Sequence, residues 1–516
     1  MQSPETLPSS SRDIERLITP EGSLYASAGD NYQYMIFGRD AIESCDDVLE
    51  RRPDISLGVI DNLIRLQGLT NNPANAEEFG KTLHQHMQLI VNGQRIPESS
   101  VRQMLKLSER WGGDENGFTY YGSLDATPLF ARLVARHGLI HGTDFLQKKV
   151  PAKNGEMIAR REALRRSLNW VCDHIDSSEL SLLEFKRPDK NHIVIQSWKD
   201  SGSSYMHQDG SQVNLDGFIA PLEVQGYAYD ALLLSSRIGE MANMSADEIH
   251  KMQEYAENLR ENTFNRFWIS GSEGFAPAID RDDEWKPRRV ETPSSTQSNL
   301  LDTRMFFGLD EDRRREYVGS IVSLMHSDDF MTEIGIRCRG SSAADLTGFA
   351  DYHGSWAVWT KETYDYIKGL KRQGLNNLAD DVANRILNMV NVSGHNYEFL
   401  YVNPDGEVDY DPKLFAPGMQ PKPDEVIIAT NLPEEGQAWT ASAMYATKRG
   451  FSPRHHFVPT SWERGLERVL LESYGNTHLL KTRDEIAAKR QNAKNFAIDV
   501  EAGIAADSRF NPDWWQ

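Results

Sequence analysis

The sequence predicts an all-α fold, a toroid of helical hairpins, and three kinds of observation carry that reading. The first is helical periodicity. Leu164, Leu168, Val171 and Ile175 fall at i, i+4, i+7 and i+11, one stripe of a 3.6-residue period. Ile249, Met252, Ala256, Leu259 and Phe267 extend the same logic over several turns. The second is helix punctuation. Ser245 with Glu248 three residues later reads as a capping box. Thr127-Pro128 and Ala220-Pro221 put proline at the expected first position of two more helices, where its missing N–H costs nothing. Further helical stretches cover 39–51, 55–67, 311–326, 354–370, 375–392 and 436–448. The third is the alternation of short turns with long polar loops at 108–124, 196–218, 270–298, 329–353 and 395–435. Loops beyond about 15 residues are uncommon unless functional. In a ring of hairpins such loops gather on one face and build a site. A polar arm is expected over 1–20, a single helical unit over 21–475 and an appendage over 476–516.

Composition narrows the function. The net charge of −20 over 516 residues disfavours nucleic acid, whose phosphates need a basic face. No run approaches the roughly 20 apolar residues that cross a bilayer, and no charged-then-apolar leader opens the chain, so a soluble cytoplasmic protein with no membrane partner is expected. Three scattered cysteines, Cys45, Cys172 and Cys338, suit neither a disulfide framework nor a zinc site. Eleven tryptophans and eighteen tyrosines suit a carbohydrate cleft, although a large helical core uses them equally well.

The richest stretch runs from Gln196 through Trp198, Lys199, Asp200 and Gly202 to His207 and Gly210, followed by Glu223, Gln225 and Tyr227. A carboxyl group beside an aromatic wall has its acid form favoured by desolvation, which a general acid near neutral pH requires. From the residues alone, Asp200 fits a turn or helix cap as well as it fits a general acid.

The motif Trp198-Lys-Asp-Ser-Gly202 with Glu223-Val-Gln-Gly-Tyr227 resembles the signature of the amylo-α-1,6-glucosidase family, the glycogen debranching enzyme C-terminal family. Three other stretches agree in order: Phe37-Gly-Arg-Asp40 with its GRD loop, 121–130 with its YGxxDATPLF segment, and Gln437-Ala-Trp439 with its QAW. Together they span about residues 20–450. The resemblance implies an (α/α)6 barrel, with long loops forming the active-site face, and an inverting, exo-acting hydrolysis of α-linked glucosides without metal or other cofactor. It implies Asp200 as general acid and places the base in 395–401, which makes Glu398 the candidate, with Glu434, Glu435 and more distantly Glu223 as rivals. Inverting enzymes hold their two carboxyl groups about 6.5–9.5 Å apart to admit a water.

Arg39 and Asp40 are expected to grip the hydroxyls of a terminal sugar, since a guanidinium fork and a carboxylate offer complementary donors and acceptors. Asp125 is expected to share that duty or to cap a helix. Trp111, Tyr120, Trp198, Trp356 and Trp439 are candidate sugar platforms, and Lys199, Glu223, Gln225 and Gln437 complete the expected binding set. The family's Y-H-N-G-S-V-W-P appears here as 352–359, without its asparagine and proline, and its C-P-Q-A-W region gains Glu434 and Glu435. The family's preceding β-rich domain is absent from this sequence, so the barrel must form its own rim. These departures fall on the presumed substrate face. They leave open a same-clan α-mannosidase, trehalase or solute glycosidase acting on a small glycoside. An epimerase or isomerase would need paired histidines, and His84, His86, His207 and His353 show no pairing pattern; a non-catalytic sugar-binding protein is the remaining alternative. Neither a phosphate cradle nor a metal-ligand pattern is visible.

Overall fold

The computed structural model describes residues 10–29, 32–91, 94–96, 107–269, 274–347, 351–393, 395–408, 433–451, 453 and 456–474. Its helices in chain order are α1 (Ser10–Leu17), α2 (Gly38–Val48), α3 (Pro53–Leu66), α4 (Ala126–His141), α5 (Arg160–Ser177), α6 (Leu222–Arg237) and α7 (Ala246–Phe267). A 3-10 stretch (Ser295–Asp302) follows, then α8 (Glu311–Met325), α9 (Thr360–Arg372), α10 (Asn376–Ser393), α11 (Ala438–Arg449) and α12 (Ser461–Tyr474).

Six elements close on themselves. Helix α2 packs against α4, α4 against α6, α6 against the 3-10 stretch, that stretch against α9, α9 against α11, and α11 back against α2. Each is backed by a second element: α3 on α2, α5 on α4, α7 on α6, α8 on the 3-10 stretch, α10 on α9 and α1 on α11. The backing helices carry the stripes, because one side faces water. The inner ones are buried nearly all round: in α4 every residue from Ala126 to Gly138 is buried. Within the expected arm, Ile14 and Leu17 of α1 are buried in the main core. The 476–516 appendage lies outside the described residues.

Charge holds the inner elements together. Arg132 of α4 meets Asp302 at 2.6 Å and Asp230 of α6 at 3.4 Å, Arg304 meets Asp230 at 2.7 Å, and Arg372 of α9 meets Asp302 at 2.9 Å. On the other side Lys368 of α9 meets Asp47 of α2 at 2.8 Å, and Lys361 meets Glu43 at 3.2 Å. Removing one partner of such a buried pair strands a charge, at a cost of about 3–5 kcal/mol.

The helix starts differ in detail from the expected ones. Pro53 opens α3, but Pro128 is the third residue of α4 and Pro221 is the N-cap of α6. Ser245 and Glu248 do form the reciprocal capping box. The stretch 354–370 is not one helix. Ala357–Trp359 is a strand that pairs antiparallel with Phe399–Tyr401, Trp359 lying opposite Phe399, and α9 begins only at Thr360. Small sheets of this kind form the rim. Met35–Phe37, Gln85–Gln88 and Gly117–Tyr120 make an antiparallel sheet above α2 and α4, and Ala220–Pro221, Ala278–Arg281 and Pro287–Val290 make another above α6. No described helix is long and apolar enough to cross a membrane.

Candidate active site

Short strands or extended residues run directly into the inner helices, so polar side chains collect at helix N-termini, where backbone N–H groups favour nearby carboxylates. Met35–Phe37 delivers Arg39 and Asp40 into the first turn of α2. Asp125 precedes α4, and Glu223 lies in the first turn of α6.

Asp125 sits at the N-cap position of α4, but its side chain makes no capping hydrogen bond. Ser123 accepts from the Ala126 N–H at 3.2 Å, while the Asp125 carboxylate accepts from Ser123 Oγ at 2.5 Å and from Arg39 Nη1 at 2.6 Å. The other end of the same guanidinium, Nη2, stands 3.7 Å from Asp200 Oδ2. Tyr352 donates its hydroxyl to Asp200 Oδ1 at 2.9 Å. Burial raises the Asp200 carboxyl above its ordinary range, against the pull of Arg39 and the Tyr352 hydrogen bond. Its side chain nonetheless keeps 26 % exposure, so it reaches the opening.

Glu398 lies immediately before the strand Phe399–Tyr401 that pairs with Ala357–Trp359. Its N–H donates to the Glu434 carbonyl at 2.9 Å, and the Glu434 N–H returns to Glu398 Oε2 at 3.4 Å. Burial and then the charges of Glu434, Asp40 and Asp200 push Glu398 well above the carboxylate range. Glu434 is itself anchored, accepting from Ser27 Oγ at 3.0 Å. Tyr32 lies among these groups: after burial, its hydroxyl is raised by Glu398, Asp200, Glu434 and Asp40. Burial also lifts Asp40 to about 7, despite Arg39. Arg39, Asp40, Asp125, Asp200, Glu398 and Glu434 are therefore close enough to act on one another's charge. Tyr32, Phe37 and Tyr352 are half-buried, Tyr32 meeting Phe37 edge-on at 5.5 Å.

Other expected site residues lie elsewhere. Trp111 stacks on Tyr120 at 3.8 Å between ring centroids, and both are buried in the rim sheet's own core. Trp111 donates to the Asn191 carbonyl and Tyr120 accepts from the Ile193 N–H. The expected role of these two as sugar platforms is corrected by their burial. Lys199 is fully buried, with Nζ donating to Ser294 Oγ, Ser295 Oγ and the Cys338 carbonyl and standing 3.3 Å from Glu362. Its three hydrogens are used, so it pins the 198–200 segment to the 3-10 stretch instead of meeting substrate. Gln225 likewise spends its amide on Leu183 and Pro221. Gln437 caps α11 through the Ala438 N–H and bridges to Ser27. Glu223 is buried beside Tyr205 and lifted to about 7 by desolvation. Trp198, Trp356 and Trp439 belong to one buried aromatic cluster with Trp359 and Phe399. Trp359 stacks on Phe399 at 4.9 Å and takes Trp198 and Trp439 edge-on, so these rings pack on one another. His395 and Glu435 lie 3.8 Å apart and are partly exposed.

Sequence reasoning missed Tyr32 and the donor role of Tyr352. The signal for Tyr352 was present, since it opens the 352–359 motif; Tyr32 is marked only by the aromatic run before Arg39. Among the described residues no three His, Cys, Asp or Glu side chains are arranged to hold a metal.

No family model and no curated protein matches the sequence. Solved structures do match. A GH63 mannosylglycerate hydrolase from Thermus thermophilus in complex with glucose aligns with a TM-score of 0.54 at 12 % identity, over 86 % of this chain and 99 % of that one. The fold is that of this helical glycoside hydrolase. An uncharacterized conserved protein of the same organism aligns with a TM-score of 0.53 at 11 % identity, over 85 % and 98 %. A glycosidase variant in complex with glucose aligns at 0.47 and 13 %, over 89 % and 95 %.

Proposed function

We propose that the chain is an inverting, exo-acting glycoside hydrolase on an (α/α)6 barrel, with Asp200 as general acid and Glu398 as general base. The observation that carries this reading is the joint placement of the two carboxyl groups. Asp200 is held by Arg39 and Tyr352, Glu398 precedes the strand Phe399–Tyr401, and Glu398 feels the Asp200 charge. The closed ring of six inner elements with six backing helices supports the barrel.

Asp200, raised by burial, protonates the departing glycosidic oxygen. Glu398, once ionised, removes a proton from a water that attacks the opposite face of the sugar. Asp40 and Tyr32 meet the hydroxyls of the terminal sugar, and Arg39 holds Asp125 and Asp200 in register. The substrate is an α-linked glucoside, the reading that the motif resemblance favours. A small glycoside of an organic acid is the second reading, favoured by the mannosylglycerate hydrolase among the structural neighbours. Against it, among the described residues the cation that acts most on Asp40 and Asp200 is Arg39, and its Nη1 is already committed to Asp125. A neutral aglycone suits such a site better than a carboxylate.

The test follows the anomer released at early times by NMR. Inversion is expected, and retention would overturn the mechanism. Asp200→Asn should lose about 10²–10⁴-fold on natural glycosides yet partly spare glycosyl fluorides, whose leaving group needs no proton. Glu398→Gln should fail on both; full activity would move the base to Glu434 or Glu435.

A further inference from the structure

The turn that carries Asp200 is tied through one buried carboxylate, Asp351, to the loop that carries Tyr352. Asp351, only 3 % exposed, accepts from Ser201 Oγ at 3.1 Å, from Ser203 Oγ at 2.5 Å and from the His353 N–H at 3.1 Å. Ser201 in turn lies 2.7 Å from Ser204 Oγ and 3.3 Å from His353 Nδ1. Burial holds His353 neutral, so it can donate from Nδ1 to a Ser201 oxygen whose own proton goes to Asp351. Arg339 closes the turn from behind, donating to the Ser203 carbonyl at 2.9 Å. These bonds run to the residues just after the acid and to the residue just after Tyr352. None of them reaches a helix of the ring.

We propose that Asp351 is a positioning residue for the general acid, a claim that rests on Asp200 having that role. One carboxylate fixes the 200–204 turn and the 351–353 loop together. It thereby sets where Asp200 Oδ1 meets the Tyr352 hydroxyl and where the other oxygen faces the leaving group. Without Asp351 the two loops lose the carboxylate they share, while the Arg39–Asp125 pair, the strand pair beside Glu398 and the barrel remain. A displacement of about 1 Å in a catalytic group can cost on the order of 10²-fold, and here the cost falls on proton donation alone.

That restriction separates positioning from general structural damage. Asp351→Ala should lower kcat on an alkyl glycoside by about 10²-fold with KM little changed, while turnover of the matching glycosyl fluoride stays near wild type. Asp351→Asn keeps one acceptor oxygen and should fall between. Ser203→Ala removes a single donor and gives a milder form of the same split if Asp351→Ala fails to fold. Equal losses on both substrates, or no loss on either, overturn the positioning role. Asp200→Asn is assayed alongside. If it shows the glycoside–fluoride split and the Asp351 variants do not, only this inference fails; if Asp200→Asn hydrolyses glycosides normally, the acid assignment falls and takes this inference with it.

Discussion

Asp200 and Glu398 are both pushed up by burial, but the next influence has opposite sign in the two. Arg39 draws Asp200 down, whereas Glu434 lifts Glu398 further. The two limbs of a pH–rate profile should therefore answer to different neighbours. Glu398 stands the higher of the two, so the competent form, with Asp200 protonated and Glu398 ionised, is the minor singly protonated form, and the acidic limb breaks at Asp200 and the alkaline limb at Glu398. Glu434→Gln removes the adjacent negative charge and should move the alkaline limb to lower pH without moving the other. Tyr352→Phe removes a hydrogen bond that favours the Asp200 carboxylate and should move the acidic limb to higher pH, with some loss of kcat from poorer orientation. Both are read from kcat/KM against pH, which reports the free enzyme. If Glu434→Gln leaves the alkaline limb in place, Glu398 is not the group that sets it.

The outer helices show apolar stripes in the sequence, whereas inner helices such as α2 and α11 were legible as helical stretches without a stripe, for one physical reason. Helix α7 shows its stripe and its capping box because one face meets water, while α4 and the 3-10 stretch are buried on almost every side and lose the pattern. The strand at Ala357–Trp359 was hidden for a related reason: three buried residues carry no alternation, and its partner lies about forty residues away. Motif residues such as Lys199 looked like substrate ligands because sequence gives no depth. Lys199 ties the acid-bearing segment to the 3-10 stretch and to Glu362 at the start of α9. Lys199→Met should strand Glu362 and cost about 3–5 kcal/mol, as a buried ion pair losing one partner does. Thermal or urea unfolding reads this directly; unchanged stability would mean that Glu362 is satisfied by Ser295 and Asn299 alone.

At the scale of the whole molecule, hydropathy pattern and motif order made the helical ring readable, but the charges inside it could not be paired from sequence. That interior governs how stability depends on pH. Burial raises Asp40 to about 7, Glu223 to about 7 and Asp47 to about 6, the last despite Lys368. An unfolded carboxyl titrates near 4, so between about pH 4 and 7 these groups hold protons in the folded chain that the unfolded chain has released, and their contribution falls as pH rises through that window. Asp302 acts in the opposite sense. Burial opposes its charge, yet Arg372 and Arg132 hold it well below the ordinary range, so its contribution is present above about pH 4 and lost on further acidification. His84, His86, His137, His326 and His353 also oppose the raised carboxyls, because burial holds them neutral where the unfolded chain still binds their protons, and their contribution grows until about pH 6.5. Above that pH the histidines no longer compensate, while Asp40 and Glu223, at about 7, are still losing protons. One pH unit of displacement is worth about 1.4 kcal/mol. The net charge of −20 would also weaken the fold as pH rises, through self-repulsion. Salt separates the two causes, because it screens surface charge and leaves buried groups nearly untouched. Unfolding midpoints taken from pH 4 to 8 at low and high salt should keep a downward slope above about pH 6.5. A slope that vanishes in salt would assign the effect to the surface, and a midpoint that rises toward pH 8 would show that these buried carboxyl groups are ionised at no cost.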